Sequence, residues 1–165
     1  MNATEGLKVF ILFLILAGFV FNLILNYLSG KGWDKPIPEM LVSLYDSKAY
    51  SKAKRYHKEA EKMGRKKGIL SLILILLMIG GGFNFLDHWA RNITLHPIGL
   101  PILFFGVLFF ASEIVSLPFR WYEQFRIESK YDFNRSTQGT FWLDSLKGWL
   151  LTILIGGGLM SLIIW

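Results

Sequence analysis

The chain has 165 residues, of which 53% are hydrophobic, and its formal net charge is +6. It contains no cysteine, which excludes a disulfide framework, a thiolate metal site and a cysteine nucleophile. The apolar residues form long unbroken runs with basic residues beside them, so anionic lipid headgroups explain the positive charge better than nucleic acid does. The sequence therefore predicts an all-α, polytopic protein that forms a single membrane domain over residues 1–165.

Four apolar runs are long enough to cross about 30 Å of hydrocarbon as helices. They cover residues 7–28, 69–86, 98–117 and 148–165, which we call spans one to four. No small-residue cleavage site follows span one, so we interpret it as a retained helix and not as a signal peptide. Glu113 lies inside span three, near enough to its end to snorkel. An acid within a span is nevertheless a candidate functional group, for example in the wall of a wet cavity.

The distribution of basic residues predicts the orientation of the spans. Residues 29–68 (loop one) hold eleven of the eighteen Lys and Arg, and residues 118–147 (loop three) hold five. The N-terminal tail and the connection at 87–97 hold one each. Because basic loops remain on the cytoplasmic side, loops one and three are predicted to be cytoplasmic and both termini to be outside.

Loop one is predicted to contain an amphipathic cytoplasmic helix. Its apolar positions recur at three- and four-residue spacing, at Val42, Tyr45, Ala49, Ala53, Tyr56, Ala60 and Met63. Its other face is rich in lysine, and we expect Ser47 to be the N-cap and Gly64 to end the helix. The apolar face could lie on anionic headgroups or contact another protein domain, and the sequence favours neither interpretation.

Two glycine triplets, at residues 80–82 and 156–158, lie in spans two and four. Small residues allow helices to approach closely in lipid, so we expect close packing or a local kink, with a functional hinge as the alternative. We expect Asn22, Asn26 and Asn84 to form interhelical hydrogen bonds or to lie near the membrane interface, since an unpaired amide is costly in lipid.

Loop three carries eight aromatic residues and the acids Glu123, Glu128, Asp132 and Asp144. Along the chain, the following residues occur in this order: Leu117-Pro118, Tyr122, Phe125-Arg126-Ile127-Glu128, Phe133-Asn134-Arg135, Thr137, Phe141, Asp144 and Lys147. This order resembles the pattern L-P-F-x-x-Y-x-x-F-x-I-E-x-x-x-G-F-N-[KR]-x-T, followed by D-x-x-K. The pattern is typical of the N-terminal membrane domain of integral-membrane zinc metalloproteases of the CAAX prenyl endopeptidase type.

Loop one adds Ile37-Pro38 and residues 50–56, which are similar to the Y-x-K-A-x-x-Y segment of the same family. The resemblance covers essentially the whole chain. One position departs from the pattern, because Asp132 stands where the family has glycine. If that glycine serves an unusual backbone angle, Asp is among the more tolerable replacements.

The resemblance implies that the four helices form part of the wall of a membrane chamber. It also implies that loop three docks against a cytoplasmic protease domain, in cis or in trans, and helps to shape the substrate entrance. The candidate residues are Glu128, Asn134 and Asp144, with Tyr122 and Arg135 beside them. Alternatively, these residues hold only the loop's own fold. The implied partners are the lipid bilayer and, in the full enzyme, a peptide or prenylated protein substrate.

The sequence contains no catalytic or metal-binding motif. Members of the family carry zinc on an H-E-x-x-H helix, in which two imidazoles share one face and the glutamate activates the metal-bound water. This chain lacks that motif. We expect His57 to be solvated on the lysine-rich face of loop one, and His88 and His96 to have structural roles. Zinc is therefore implied only for the family's separate catalytic domain. The end of the chain at Trp165, directly after span four, favours a domain separated from a longer enzyme.

A second interpretation is a standalone four-helix membrane scaffold or partner-binding protein without catalytic activity. Loops one and three would then form its interaction surface. A small transporter fits less well, because the spans contain few charges and no convincing inverted repeat.

Overall fold

The computed structural model describes residues 3–34 and 46–165, and no β-strand occurs within these ranges. The helices are α1 (Ala3–Asp34), α2 (Ser47–Leu77), α3 (Phe83–Ile93), α4 (Gly99–Tyr122), α5 (Gln138–Leu151) and α6 (Gly157–Ile164). Three π-helical turns, Met78–Gly82, Glu123–Glu128 and Thr152–Gly156, join or extend them. The described residues form four long helical stretches, Glu5–Gly32, Lys48–Ile93, Gly99–Glu128 and Gln138–Ile164, and each contains an apolar segment long enough to cross a membrane. Each overlaps one predicted span, so the all-α membrane fold is confirmed.

The chain divides into two compact units, residues 1–76 and 77–165. In the first unit, α1 and α2 line a pocket of about 300 Å³ to which Asn22 and Asn26 contribute. The Asn22 side-chain amide donates to the Gly18 carbonyl, 3.3 Å away on the same helix. This hydrogen bond satisfies the amide within α1 and not between helices, and the alternative expectation, a position near the membrane interface, stays a prediction.

The helix predicted in loop one is present, but its ends differ from the prediction. The Asp46 carboxylate accepts from the Lys48 backbone N–H at 2.9 Å, which makes Asp46, and not Ser47, the N-cap. The helix does not end at Gly64, because α2 continues through it into span two. Its placement on headgroups or on a partner stays a prediction. Ile37-Pro38, Val42 and Tyr45 lie outside the described residues.

The first glycine triplet produces the predicted local kink. Gly81 has φ 155° and ψ −13° inside the π-helical turn that joins α2 to α3, a conformation that L side chains rarely adopt. A Cβ at Gly82 would come within 2.6 Å of the Met78 sulfur. The second triplet begins at Gly156, the last residue of another π-helical turn, Thr152–Gly156, in span four. The first triplet therefore lies within an irregular helical turn, and the second begins at the end of one.

The outer surfaces of the spans are apolar, as lipid contact requires. Large aliphatic side chains remain open to the surroundings, for example Leu154 with 70% and Ile163 with 79% of their surface exposed. The second unit has small buried groups: Leu86 and Ala90 on α3, and Ile127, Tyr131 and Phe141 at the loop-three end. Apolar surface on this scale is rare on soluble monomers, so the exposed side chains indicate an integral membrane protein.

Candidate functional site

Most of loop three is helical. The helix of span three continues past Pro118 and through the π-helical turn Glu123–Glu128 to residue 130, and α5 begins at Gln138. Only residues 131–137 form a non-helical connection. Loop three therefore presents two helix ends joined by a short turn, and these ends position the side chains of the candidate site.

The end of the span-three helix is a Schellman motif. The Phe133 N–H donates to the Glu128 carbonyl at 2.9 Å, and the Asp132 N–H donates to the Ser129 carbonyl at 3.2 Å. Asp132 has φ 59°, the left-handed conformation that this position needs and that glycine adopts most easily. Asp132 therefore holds the backbone angle for which glycine, the residue expected here from the resemblance, is best suited.

Polar side chains then fix the connection to α5. The Asn134 amide donates to the Ser129 hydroxyl at 3.1 Å, while its carbonyl oxygen accepts from the Ser136 N–H at 2.8 Å. The Thr137 hydroxyl accepts from the Thr140 N–H at 3.2 Å and so caps α5. These bonds give Asn134 a role in the fold of loop three itself.

Aromatic side chains form a small core beside this turn. The Phe125 ring meets the Phe141 ring edge-to-face at a centroid distance of 5.7 Å, and Trp121 packs on Phe125, also at 5.7 Å. Phe141 is buried together with Ile127 and Tyr131. These contacts hold the helix of span three against α5 at the loop-three end.

Glu113 links spans three and four through its side chain. Its Oε2 accepts from Arg120 Nη2 at 2.6 Å and from Trp149 Nε1 at 2.9 Å. The Trp149 ring also meets the Phe110 ring edge-to-face at 6.2 Å. Arg120 lies seven residues after Glu113 on the same helix face, so the pair could have been read from the sequence. Trp149 is 36 residues away and only the fold brings it there.

A pocket of about 630 Å³ lies between these elements at the loop-three end of spans three and four. We call it the acidic pocket. Its charged lining residues are Glu113, Glu123, Glu128, Asp144 and Arg120. The structure therefore brings together three predicted candidates, Glu113, Glu128 and Asp144, and adds Glu123 and Arg120, which the sequence analysis did not select.

The other three candidates do not line this pocket. Tyr122 is 47% exposed on the last turn of α4. Arg135 is exposed in the connection, and Asn134 is engaged in the turn as described above. Their roles at a protein contact stay predictions.

The part of the chain that the structure describes contains no set of side chains that could bind zinc. No group of three or more His, Cys, Asp or Glu side chains there could hold a metal ion. The acids of the acidic pocket do not form such a group. The described residues therefore do not fit a zinc centre, and no chemistry of this chain is assigned to zinc.

Comparison with known proteins decides the family. The family model described as "CAAX prenyl protease N-terminal, five membrane helices" matches residues 31–165. The chain belongs to the CAAX prenyl protease family. Among curated members, it is 30% identical over 146 residues to the "Probable CAAX prenyl protease 1" of Schizosaccharomyces pombe, and the match covers 79% of this chain. It is 39% identical over 75 residues, 46% of this chain, to the "CAAX prenyl protease 1 homolog" of Oryza sativa subsp. japonica.

A solved CAAX prenyl protease family structure supports the same fold. The crystal structure of S. mikatae Ste24p superimposes with a TM-score of 0.84 and 26% identity over 94% of this chain. The matched regions amount to 38% of Ste24p, 30% of the S. pombe relative and 17% of the rice relative. This chain is thus similar to the membrane N-terminal region of proteins that are considerably longer.

Proposed function

We propose that this chain is the membrane-embedded domain of a CAAX-prenyl-protease-like zinc metalloendopeptidase. In this proposal it forms part of a chamber wall and docks a zinc-bearing catalytic domain, in cis or in trans. The observation that carries the proposal is the acidic pocket, where Glu113, Glu128 and Asp144 meet at the loop-three end of spans three and four. The prenylated or peptide substrate of the whole enzyme is part of the same proposal.

The chemistry of the site supports a contact with a protein surface. Glu128 is half-buried and Asp144 is exposed, so the two carboxylates can reach basic or hydrogen-bonding groups of a docked domain. Exposed Tyr122 and Arg135 belong to the residue types that dominate the binding energy of protein interfaces. The turn that joins the two helices is short and internally hydrogen-bonded, which lowers the entropic cost of docking.

We also propose that loops one and three face the cytoplasm and that both termini face outside, as the basic residues indicate. Because the chain has no cysteine, single-cysteine variants can test this directly. Ser51→Cys and Arg135→Cys should resist a membrane-impermeant maleimide in intact cells and react after permeabilisation. Asn92→Cys, at an exposed position in the short connection, should react in intact cells. The opposite pattern would reverse the orientation.

A chimera tests the docking proposal. This chain would replace the matched region of the S. pombe relative, and cleavage of a prenylated CAAX peptide by isolated membranes would be measured. We expect activity in the chimera, and a loss of about tenfold with Glu128→Gln and Asp144→Asn together, the size of two partly screened charge contacts. Asp87→Asn is the control, because this acid pairs with Arg91 at 2.7 Å in the short connection between spans two and three.

Co-purification completes the test. The remainder of the relative, expressed as a separate chain, should be retained by tagged wild-type chain and released by the double variant. If the double variant retained both activity and binding, the acidic pocket would have no docking role. If the wild-type chimera were inactive and bound nothing, the standalone scaffold would be favoured instead.

A further inference from the structure

A second, apolar groove lies along spans three and four, and its lining belongs to the same two helices as the acidic pocket. Its volume is about 740 Å³. On span three it runs from Ile102 to Ile114, and on span four from Thr152 to Met160. This size falls in the range of pockets that hold small organic ligands, roughly 300–1,000 Å³. We call it the apolar groove.

The apolar groove and the acidic pocket adjoin each other. Phe109 and Thr152 line both of them. On the helix of span three, the groove is lined by earlier residues and the pocket by later ones, up to Glu128. On the helix of span four, the pocket is lined by earlier residues and the groove by later ones, as expected for two antiparallel helices. The combined cavity is therefore apolar towards the middle of the spans and charged towards their loop-three end. A phospholipid in the leaflet on that side has the same polarity along its length.

We propose that the apolar groove and the acidic pocket together bind one phospholipid with a primary ammonium headgroup, of the phosphatidylethanolamine type. Its acyl chains occupy the apolar groove. Its ammonium group is attracted by the carboxylates of Glu113, Glu123, Glu128 and Asp144, which outnumber the single lining guanidinium of Arg120. The guanidinium has five N–H donors, so Arg120 can contact the lipid phosphate while it also pairs with Glu113.

The same charges disfavour an anionic lipid, because its net negative headgroup would lie among several carboxylates. The proposal shares Glu128 and Asp144 with the proposed docking contact but does not rest on it, because lipid retention is measured on this chain without a protease domain.

Glycines in the groove offer a way to plug it. A Cβ at Gly106 or at Gly157 would meet no atom within 4 Å, and both residues line the groove. Gly158, the next residue on the same helix, also has open space at its Cβ but does not line the groove. Gly157→Leu and Gly158→Leu are therefore a matched pair that adds the same bulk to span four on different faces.

The experiment is native mass spectrometry of the whole chain, purified in detergent and mixed with phosphatidylethanolamine and phosphatidylglycerol of identical acyl chains. We expect one phosphatidylethanolamine to be retained, with a preference of roughly tenfold over phosphatidylglycerol, the size expected from one or two screened charge contacts. Gly157→Leu should abolish retention and Gly158→Leu should preserve it. Gly106→Leu plugs the groove from the other helix and should act like Gly157→Leu, which guards against a folding defect in one variant.

The headgroup is tested separately. Glu128→Gln with Asp144→Asn should reduce the preference for phosphatidylethanolamine to less than twofold without reducing total lipid retention. Equal retention of both lipids by the wild-type chain, or equal retention by the Gly157→Leu and Gly158→Leu variants, would overturn the proposal. A dimer that Gly157→Leu abolishes would also overturn it, because the groove would then receive a second copy of the chain.

Discussion

The left-handed residue at the end of the span-three helix provides a sharp test of the loop-three structure. Asp132 has φ 59° at the position where the Schellman motif closes. A left-handed conformation costs an ordinary L residue about 1–2 kcal/mol, and less for Asp, whose short polar side chain tolerates it. Glycine avoids this cost but loses roughly 0.5–1 kcal/mol of chain entropy on folding. The two effects nearly offset each other, so we expect Asp132→Gly to be neutral or to stabilise the chain by at most about 0.5 kcal/mol.

The opposite effect is expected for a β-branched residue at the same position. Asp132→Val should destabilise by about 1–2 kcal/mol, because its Cβ substituents clash with the backbone in this region. For a chain of this length, these values correspond to melting temperatures about 0–2 °C higher for Gly and about 2–8 °C lower for Val. Thermal unfolding in a fixed detergent, followed by intrinsic tryptophan fluorescence, measures both.

Two controls separate the backbone angle from other effects. Asp132→Asn removes the charge but keeps the tolerance for positive φ, so it should melt close to the wild type. Lys130→Gly, in the last helical turn two residues earlier, should destabilise by roughly 0.5–1 kcal/mol as glycine does within a helix. If Asp132→Gly destabilised as much as Lys130→Gly, the left-handed assignment of Asp132 would be refuted.

Two further predictions concern the spans. Trp149→Phe should destabilise by about 0.6 kcal/mol, the average for a hydrogen bond within a membrane, and by no more than about 1.7 kcal/mol. A double-mutant cycle with Glu113→Leu in thermal unfolding should show coupling, and additive effects would contradict this link. Gly82→Ala should destabilise by about 1–3 kcal/mol, because its Cβ would approach the Met78 side chain and the Leu77 carbonyl. Gly80→Ala is the control: its Cβ would contact no atom within 4 Å, so it should leave stability unchanged or raise it in the same assay.

The fold was largely predictable because lipid imposes a simple rule on sequence. Each span appears as an apolar run, and the structure places a helix on every run. The ends were less predictable, because the helices continue beyond the hydrocarbon. Span three illustrates this: its apolar run ends at residue 117, yet α4 continues through Pro118 to Tyr122. Packing of Phe125 on Phe141 stabilises the part of the helix beyond Leu117, and no local sequence pattern encodes this contact.

The candidate site was also only partly predictable from the sequence. Glu113 could be identified from sequence because an acid in an apolar run is conspicuous, and its pairing with Arg120 follows from helical spacing. The contribution of Trp149 depends on how spans three and four pack, so local spacing gave no signal for it.

The residues of the loop-three motif divide into two physical groups, and this division decides how docking can be tested. Asn134 is bonded to Ser129 and Ser136, so removing its side chain leaves the turn without two hydrogen bonds. A loss of activity in an Asn134 variant would therefore report a disturbed turn as readily as a lost contact. Glu128 and Asp144 line the acidic pocket, and changing them to Gln and Asn removes charge while keeping shape. Substitution of these two acids leaves the turn's own bonds in place, so their variants separate docking from folding, which an Asn134 variant does not.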